Sequence, residues 1–188
     1  MYLNNISRQT FDLEREFGQY DYLFAYYPPG WREAVLQIQE KIRELIHSNS
    51  SDSQICKTVI HGDLTYRNVL KSNDSTMYVD FDRSEISYPE FDFYLFCVDL
   101  ETHRVGPSTY ELLFDNIFRL IDGKLALIDE VDYYKMFPDF GENKVFMQEM
   151  KLLFLYRTLV LTLQYYTNTT NVPERIFTRV NDGLNKYI

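Results

Sequence analysis

Trp31, Val35, Ile38, Ile42, Leu45 and Ile46 recur at spacings of three and four, the period of one helix face, and predict a helix over 31–47. The residues before it mix aromatic with polar groups, read as helix and loop, and end at the breaker Pro28-Pro29-Gly30. After a polar loop over 48–53, a β-branched run over 57–60 predicts a short strand. A brief extended piece at 68–70, a polar turn over 72–75 and a strand over 77–81 complete a small hairpin. Beyond a loop at 87–90 the pattern turns helical: 91–102, then 108–121 with Ser108 as cap and Glu111 closing a capping box. Further helices are expected over 124–134, over 143–166 as the longest, and over 173–187 with Pro173 in the first turn. Phe146, Phe154, Tyr156, Tyr165 and Tyr166 read as the core stripe of the longest helix. The fold class is α+β, mostly helical, with a small β-hairpin.

Composition adds a size and a compartment. The chain has 188 residues, the length of one domain or of one large lobe, and 45% of them are apolar, ample for a sizeable core. The most apolar stretch, 145–166, is interrupted by Glu149, Lys151, Arg157 and Gln164, whereas a membrane span needs ~20 nearly uninterrupted apolar residues. No N-terminal targeting signal is present, and Cys56 and Cys97 read as buried free thiols. The expectation is a soluble, cytoplasmic protein with no membrane partner. A net charge of −9 without a Lys/Arg cluster argues against nucleic acid as a partner and suits cationic small molecules or bound metal.

The candidate chemistry sits in the hairpin region. His61-Gly62-Asp63-Leu64-Thr65-Tyr66-Arg67-Asn68 fits the pattern H-x-D-x-x-x-x-N and follows the first strand. With three histidines in the chain, a chance match is rare. Asp80-Phe81-Asp82 follows at the end of the next strand. Phosphoryl transfer needs a carboxylate to orient the acceptor hydroxyl and take its proton, and hard oxygen ligands for magnesium. Asp63 suits the first task; Asn68 and Asp80 suit the second, because an amide oxygen and a carboxylate leave room for phosphate oxygens and water.

These residues resemble the catalytic loop and metal motif of the aminoglycoside phosphotransferase and choline kinase superfamily, distant relatives of protein kinases. The resemblance is strongest over 59–100 and covers the C-terminal lobe of a protein-kinase-like fold. It implies that Asp63 is the catalytic base, that Asn68 and Asp80 are magnesium ligands, and that ATP is co-substrate. Asp82, where protein kinases carry glycine, is either a second metal ligand or a surface acid. His61 orients the loop, and Asp92 anchors it as an N-cap. Arg67 either touches phosphate or, the favoured alternative, pairs with a neighbouring acid. His47 and His103 read as surface helical residues without partners.

The resemblance also implies what to look for and not find. The N-terminal nucleotide-binding lobe of this superfamily is expected to be absent, since the residues before His61 show no glycine-rich loop and no strand lysine. The whole chain then forms one lobe, with loops at 61–68 and 80–82 and a helical substrate region over about 108–188. An excised domain or a truncated product is favoured over a natural single-lobed protein. The implied activity is transfer of the ATP γ-phosphate to a hydroxyl of a small, cationic molecule such as an aminoglycoside or amino alcohol. Glu111, Asp115, Asp129, Glu130 and Asp132 are the acidic candidates for binding it. The alternative is a non-catalytic binding or regulatory module derived from a kinase lobe.

Overall fold

A computed structural model describes residues 6–46, 54–105, 109–125, 130–167 and 171–188, the side chains of 130–132 and 171 apart. The architecture is α+β and mostly helical, with two small antiparallel sheets. The expectations placed on His47, Ser108 and Asp129, and on the side chains of Glu130 and Asp132, lie outside the described residues.

Strand β2 (Gln54–Ile60) is the middle of the first sheet. On one side it pairs with β1 (Ser7–Thr10), Ser7 facing Lys57, and on the other with β5 (Glu85–Ser87), Thr58 facing Ser87. Neither flanking strand was expected. Both are short and lack the apolar alternation that marks a strand, so pairing with β2 decides their conformation. The second sheet is the expected hairpin, β3 (Val69–Lys71) with β4 (Thr76–Tyr78), closed by Ser72 and Ser75. Its second strand stops at Tyr78, short of the predicted 81, and two residues on Asp80 turns left-handed at φ 65°.

Among the described residues the helices are α1 (Leu13–Gly18), α2 (Trp31–Leu45), α3 (Pro89–Val105), α4 (Tyr110–Ile121), α5 (Glu130–Met136), α6 (Met147–Leu163) and α7 (Asn171–Leu184). The apolar face of α2 buries Trp31, Val35, Ile38 and Ile42, as its spacing predicts. Helix α3 starts two residues earlier than expected because Pro89, with its fixed φ and no N–H, fits the first helical position. Helix α4 is capped by Thr109, whose hydroxyl accepts from the Leu112 N–H.

The longest predicted helix is three pieces. Pro138–Phe146 and Gln164–Tyr166 are 3₁₀ segments, and the α-helix between them is α6. Helix α6 is buried nearly all round and forms the axis of the core, with Phe154, Leu155, Leu159 and Val160 sealed from solvent. Phe146, Phe154 and Tyr156 belong to that core, whereas Tyr165 is 60% exposed. Among the described residues no helix is long and apolar enough to cross a membrane, and both cysteines are buried and free.

Two buried polar clusters tie the first sheet to its surroundings. Lys57 Nζ reaches both carboxylate oxygens of Glu16 at 2.8 and 2.6 Å, joining β2 to α1. Asn143 donates to the Cys56 carbonyl at 2.9 Å and accepts from its N–H at 2.7 Å, replacing a strand partner. The same amide donates at 3.1 Å to both oxygens of buried Glu90. Burial pushes the Glu90 carboxyl up to about 7, against the pull of its own backbone N–H, Asn143 and Tyr134.

Candidate active site

The loop after β2 is held from behind by α3. His61 and Gly62 donate their backbone N–H groups to the two oxygens of Asp92, at 2.7 and 2.9 Å. Asp92 lies inside the first turn of α3 and is not its cap, because the helix has already begun at Pro89. The His61 ring lies against Phe81, with centroids 4.4 Å apart, and its Nε2 sits 2.8 Å from the Val79 carbonyl. A carbonyl only accepts, so Nε2 carries the proton and Nδ1 is left to accept from the Asp63 N–H at 3.4 Å. The Val79 N–H donates to the Asn68 carbonyl at 3.0 Å. The loop bearing Asp63 and the segment leading to Asp80 are thereby laced together by short-range bonds.

Two backbone positions need left-handed geometry. Gly62 has φ 80°, and a Cβ there would stand 2.0 Å from the Arg83 carbonyl oxygen. Asp80 holds φ 65° with a side chain, a sparsely populated conformation that Asp tolerates better than most residues. Asn68 folds its Nδ2 back to donate to the Asp63 carbonyl at 2.8 Å, with the Asp63 carboxylate at 3.5 Å. Those contacts leave the amide oxygen as the group Asn68 can offer outward.

Asp63, Asn68, Asp80 and Arg67 all line one cleft of about 630 Å³, together with Gly62, Arg83 and residues of α3, α4 and α6. His61 and Asp92 are buried behind it. Asp82 is exposed and is not among the cleft residues, so the structure does not bring it to the other acids. The expected pairing of Arg67 with an acid gives way to a contact with Tyr66: its Nε lies 3.4 Å from the hydroxyl, and its guanidinium 5.7 Å from the ring centroid. Among the described residues no group of three or more His, Cys, Asp or Glu is placed to hold a metal ion. Asn68 and Asp80 instead offer one amide oxygen and one carboxylate, a partial set of hard donors that fits a cation completing its shell with phosphate and water.

Several cleft residues lie outside the two motifs. Arg157 of α6 is buried, donates to the Gly62 carbonyl at 2.8 Å and to Glu85 at 2.7 Å. Burial pulls its guanidinium down, but Glu85 and nearby acids outweigh that, so its pKa lies above the ordinary value and it is charged. An arginine within the most apolar stretch of the chain was the available clue. Asp99 of α3 accepts from the Tyr66 N–H at 3.0 Å and meets His103 at 3.3 Å. His103 also packs edge-on to Tyr66, with ring centroids 4.4 Å apart, so it is a partnered cleft residue and not the lone surface histidine expected. Glu111 and Asp115 point elsewhere, paired with Arg175 and Arg179 of α7. Among the described residues, the acid that lines the cleft from a helix is Asp99.

Comparison with curated proteins found no match. Among solved structures, the chain is similar to amicoumacin kinase hAmiN, determined in complex with AMP-PNP, Ca2+ and Ami, at 16% identity and a TM-score of 0.47. The match covers 96% of this chain and 51% of that one, so the chain spans about half the length of that kinase. A family model described as APH, phosphotransferase enzyme family, matches residues 3–120. That stretch contains both loops and the helix α3 that holds them, and it is more than half of the sequence. The protein belongs to the phosphotransferase enzyme family.

Proposed function

We propose that this chain is the C-terminal, catalytic lobe of a kinase-like enzyme that transfers the γ-phosphoryl group of ATP to a hydroxyl of a small molecule. One observation carries the reading: Asp63, Asn68 and Asp80 line a single cleft on two loops joined through His61 and Val79, the first of them held to α3 by Asp92. Asp63 orients the acceptor hydroxyl and takes its proton as the oxygen bonds to phosphorus. Asn68 and Asp80 hold magnesium, which when bound neutralises charge on the nucleotide phosphates. His61 and Asp92 act through the loop, fixing where Asp63 stands, and Arg67 sits at the cleft for phosphate contact. On this reading the groups that clamp the nucleotide from the other side are not among residues 1–188, and the chain alone binds ATP-magnesium weakly.

A second reading, a non-catalytic module, draws on the lack of a three-acid metal cluster among the described residues. Magnesium-dependent ADP formation in a screen of hydroxyl acceptors, run on the chain with any upstream lobe restored, decides between them. Asp63→Ala should lower transfer by ~10²–10⁴-fold without changing the unfolding midpoint. Turnover retained in that variant removes the base assignment.

A further inference from the structure

Most of the buried residues of helix α6 are apolar, yet Arg157, Thr158 and Thr162 of this helix line the cleft. Arg157 has partners in Gly62 and Glu85. Thr158 and Thr162 do not: among the described residues neither hydroxyl has a protein hydrogen bond, although the two residues are only 7% and 6% exposed. Thr102 shows the alternative open to a helical threonine, bonding back to the Val98 carbonyl at 2.7 Å. Neither hydroxyl is sealed in the core, so two hydroxyls one turn apart on the cleft wall, where valine would fill the same volume, are open to a ligand in the cleft.

The charges of the cleft narrow what that ligand is. Its lining acids among the described residues are Asp63, Asp80 and Asp99, set against Arg67, Arg83 and Arg157. The proposed chemistry commits Asp63 and Asp80, which leaves Asp99, already engaged with Tyr66 and His103. The net charge of −9 is therefore not concentrated here, and a polycation would find one shared carboxylate. Leu95, Leu113 and Leu161 supply apolar surface suited to the C–H face of a ring.

We propose that Thr158, Thr162 and Asp99 form the acceptor subsite, and that it takes a polyhydroxylated small molecule carrying at most one amine, such as a cyclic polyol or an amino sugar. The class of molecule is inferred directly from the subsite; its role as acceptor rests on the phosphotransfer reading above. Binding of myo-inositol, glucosamine and kanamycin to the 188-residue chain, followed by ligand-observed NMR titration, tests it without requiring turnover. The first two should bind the wild type, and the shape-conserving Thr158→Val/Thr162→Val double variant should weaken both about tenfold or more, as expected for two lost hydrogen bonds. Asp99→Asn should weaken glucosamine and leave inositol unchanged. Tighter binding of kanamycin than of either, binding indifferent to the valine pair, or no binding of inositol and glucosamine overturns the proposal. Threonine-dependent polyol binding upholds the subsite, and if no acceptor then yields ADP with any upstream sequence of the gene restored, the phosphotransfer reading falls. Transfer to kanamycin untouched by the valine pair does the reverse.

Discussion

Replacing Gly62 by alanine tests whether the contact between the two loops sets the geometry of the site. The residue sits at φ 80°, where an L side chain costs ~1–2 kcal/mol. Its new Cβ would also stand 2.0 Å from the Arg83 oxygen and 2.8 Å from the Arg83 carbonyl carbon, both inside the 3.0 Å below which such contacts essentially do not occur. The loop cannot retreat easily. Asp92 holds the Gly62 N–H and Arg157 holds its carbonyl, so the turn carrying Arg83, and with it Asp80, must yield. Overpacking of this kind adds ~1–3 kcal/mol, for a total of about 3 kcal/mol. In a chain of this size that lowers the unfolding midpoint by ~6–12 °C. Activity should fall further than stability suggests, by ~10²-fold, because a displacement of ~1 Å between catalytic groups costs that much. Gly30→Ala is the control: φ is 90° there, but nothing lies within 4 Å of the added Cβ, so only the backbone cost applies. The assays are thermal unfolding by circular dichroism and ADP formation. A Gly62→Ala protein that melts with the Gly30→Ala control and turns over at the wild-type rate would refute the reasoning.

Two further substitutions probe the buried polar clusters. The Glu90 carboxyl, at about 7 against an ordinary 4.5, binds its proton more tightly folded than unfolded. Its stabilising contribution is therefore complete below pH 4.5 and is lost as pH rises through about 7, a fall of at most about 3 kcal/mol. Glu90→Gln should flatten that slope, and urea midpoints at pH 5 and pH 8 check it; parallel profiles for the two proteins would count against it. Lys57→Met strands the Glu16 carboxylate, which is 4% exposed, and should cost ~3–5 kcal/mol by urea denaturation. Adding Glu16→Leu should recover most of the loss, and a double variant no better than the single one would show that the pair is not energetically coupled.

The grouping of Asp63, Asn68 and Asp80 was legible because it is local. The residues 61–68 and 80–82 lie on either side of one hairpin, so residue type and spacing alone place Asp63, Asn68 and Asp80 near one another. The amphipathic period of α2 and the Gly and Pro breakers likewise act over a few residues and mark elements directly. Asp82 shows the limit: the left-handed turn at Asp80 sets the course of the residues that follow, and Asp82 ends exposed, outside the cleft. Tyr165 left the expected core stripe for a similar reason. The helix tightens to 3₁₀ at Gln164–Tyr166, and the face that had been buried rotates toward the cleft.

What only the tertiary structure decided are the contacts between segments far apart in the chain. The pairing of β1 with β2, the Arg157 bond to Gly62, and the places of Asp99, Thr158 and Thr162 on the cleft wall all depend on which face of one element meets which loop of another. Sequence by itself determined the helical α+β class, the grouping of Asp63, Asn68 and Asp80 on two neighbouring loops, and membership of a phosphotransferase family, because backbone preferences and motif spacing are short-range. It could not determine the helical wall of the cleft, because packing α6 and α3 around those loops is a long-range choice, made by burial of apolar faces and recorded in no local pattern.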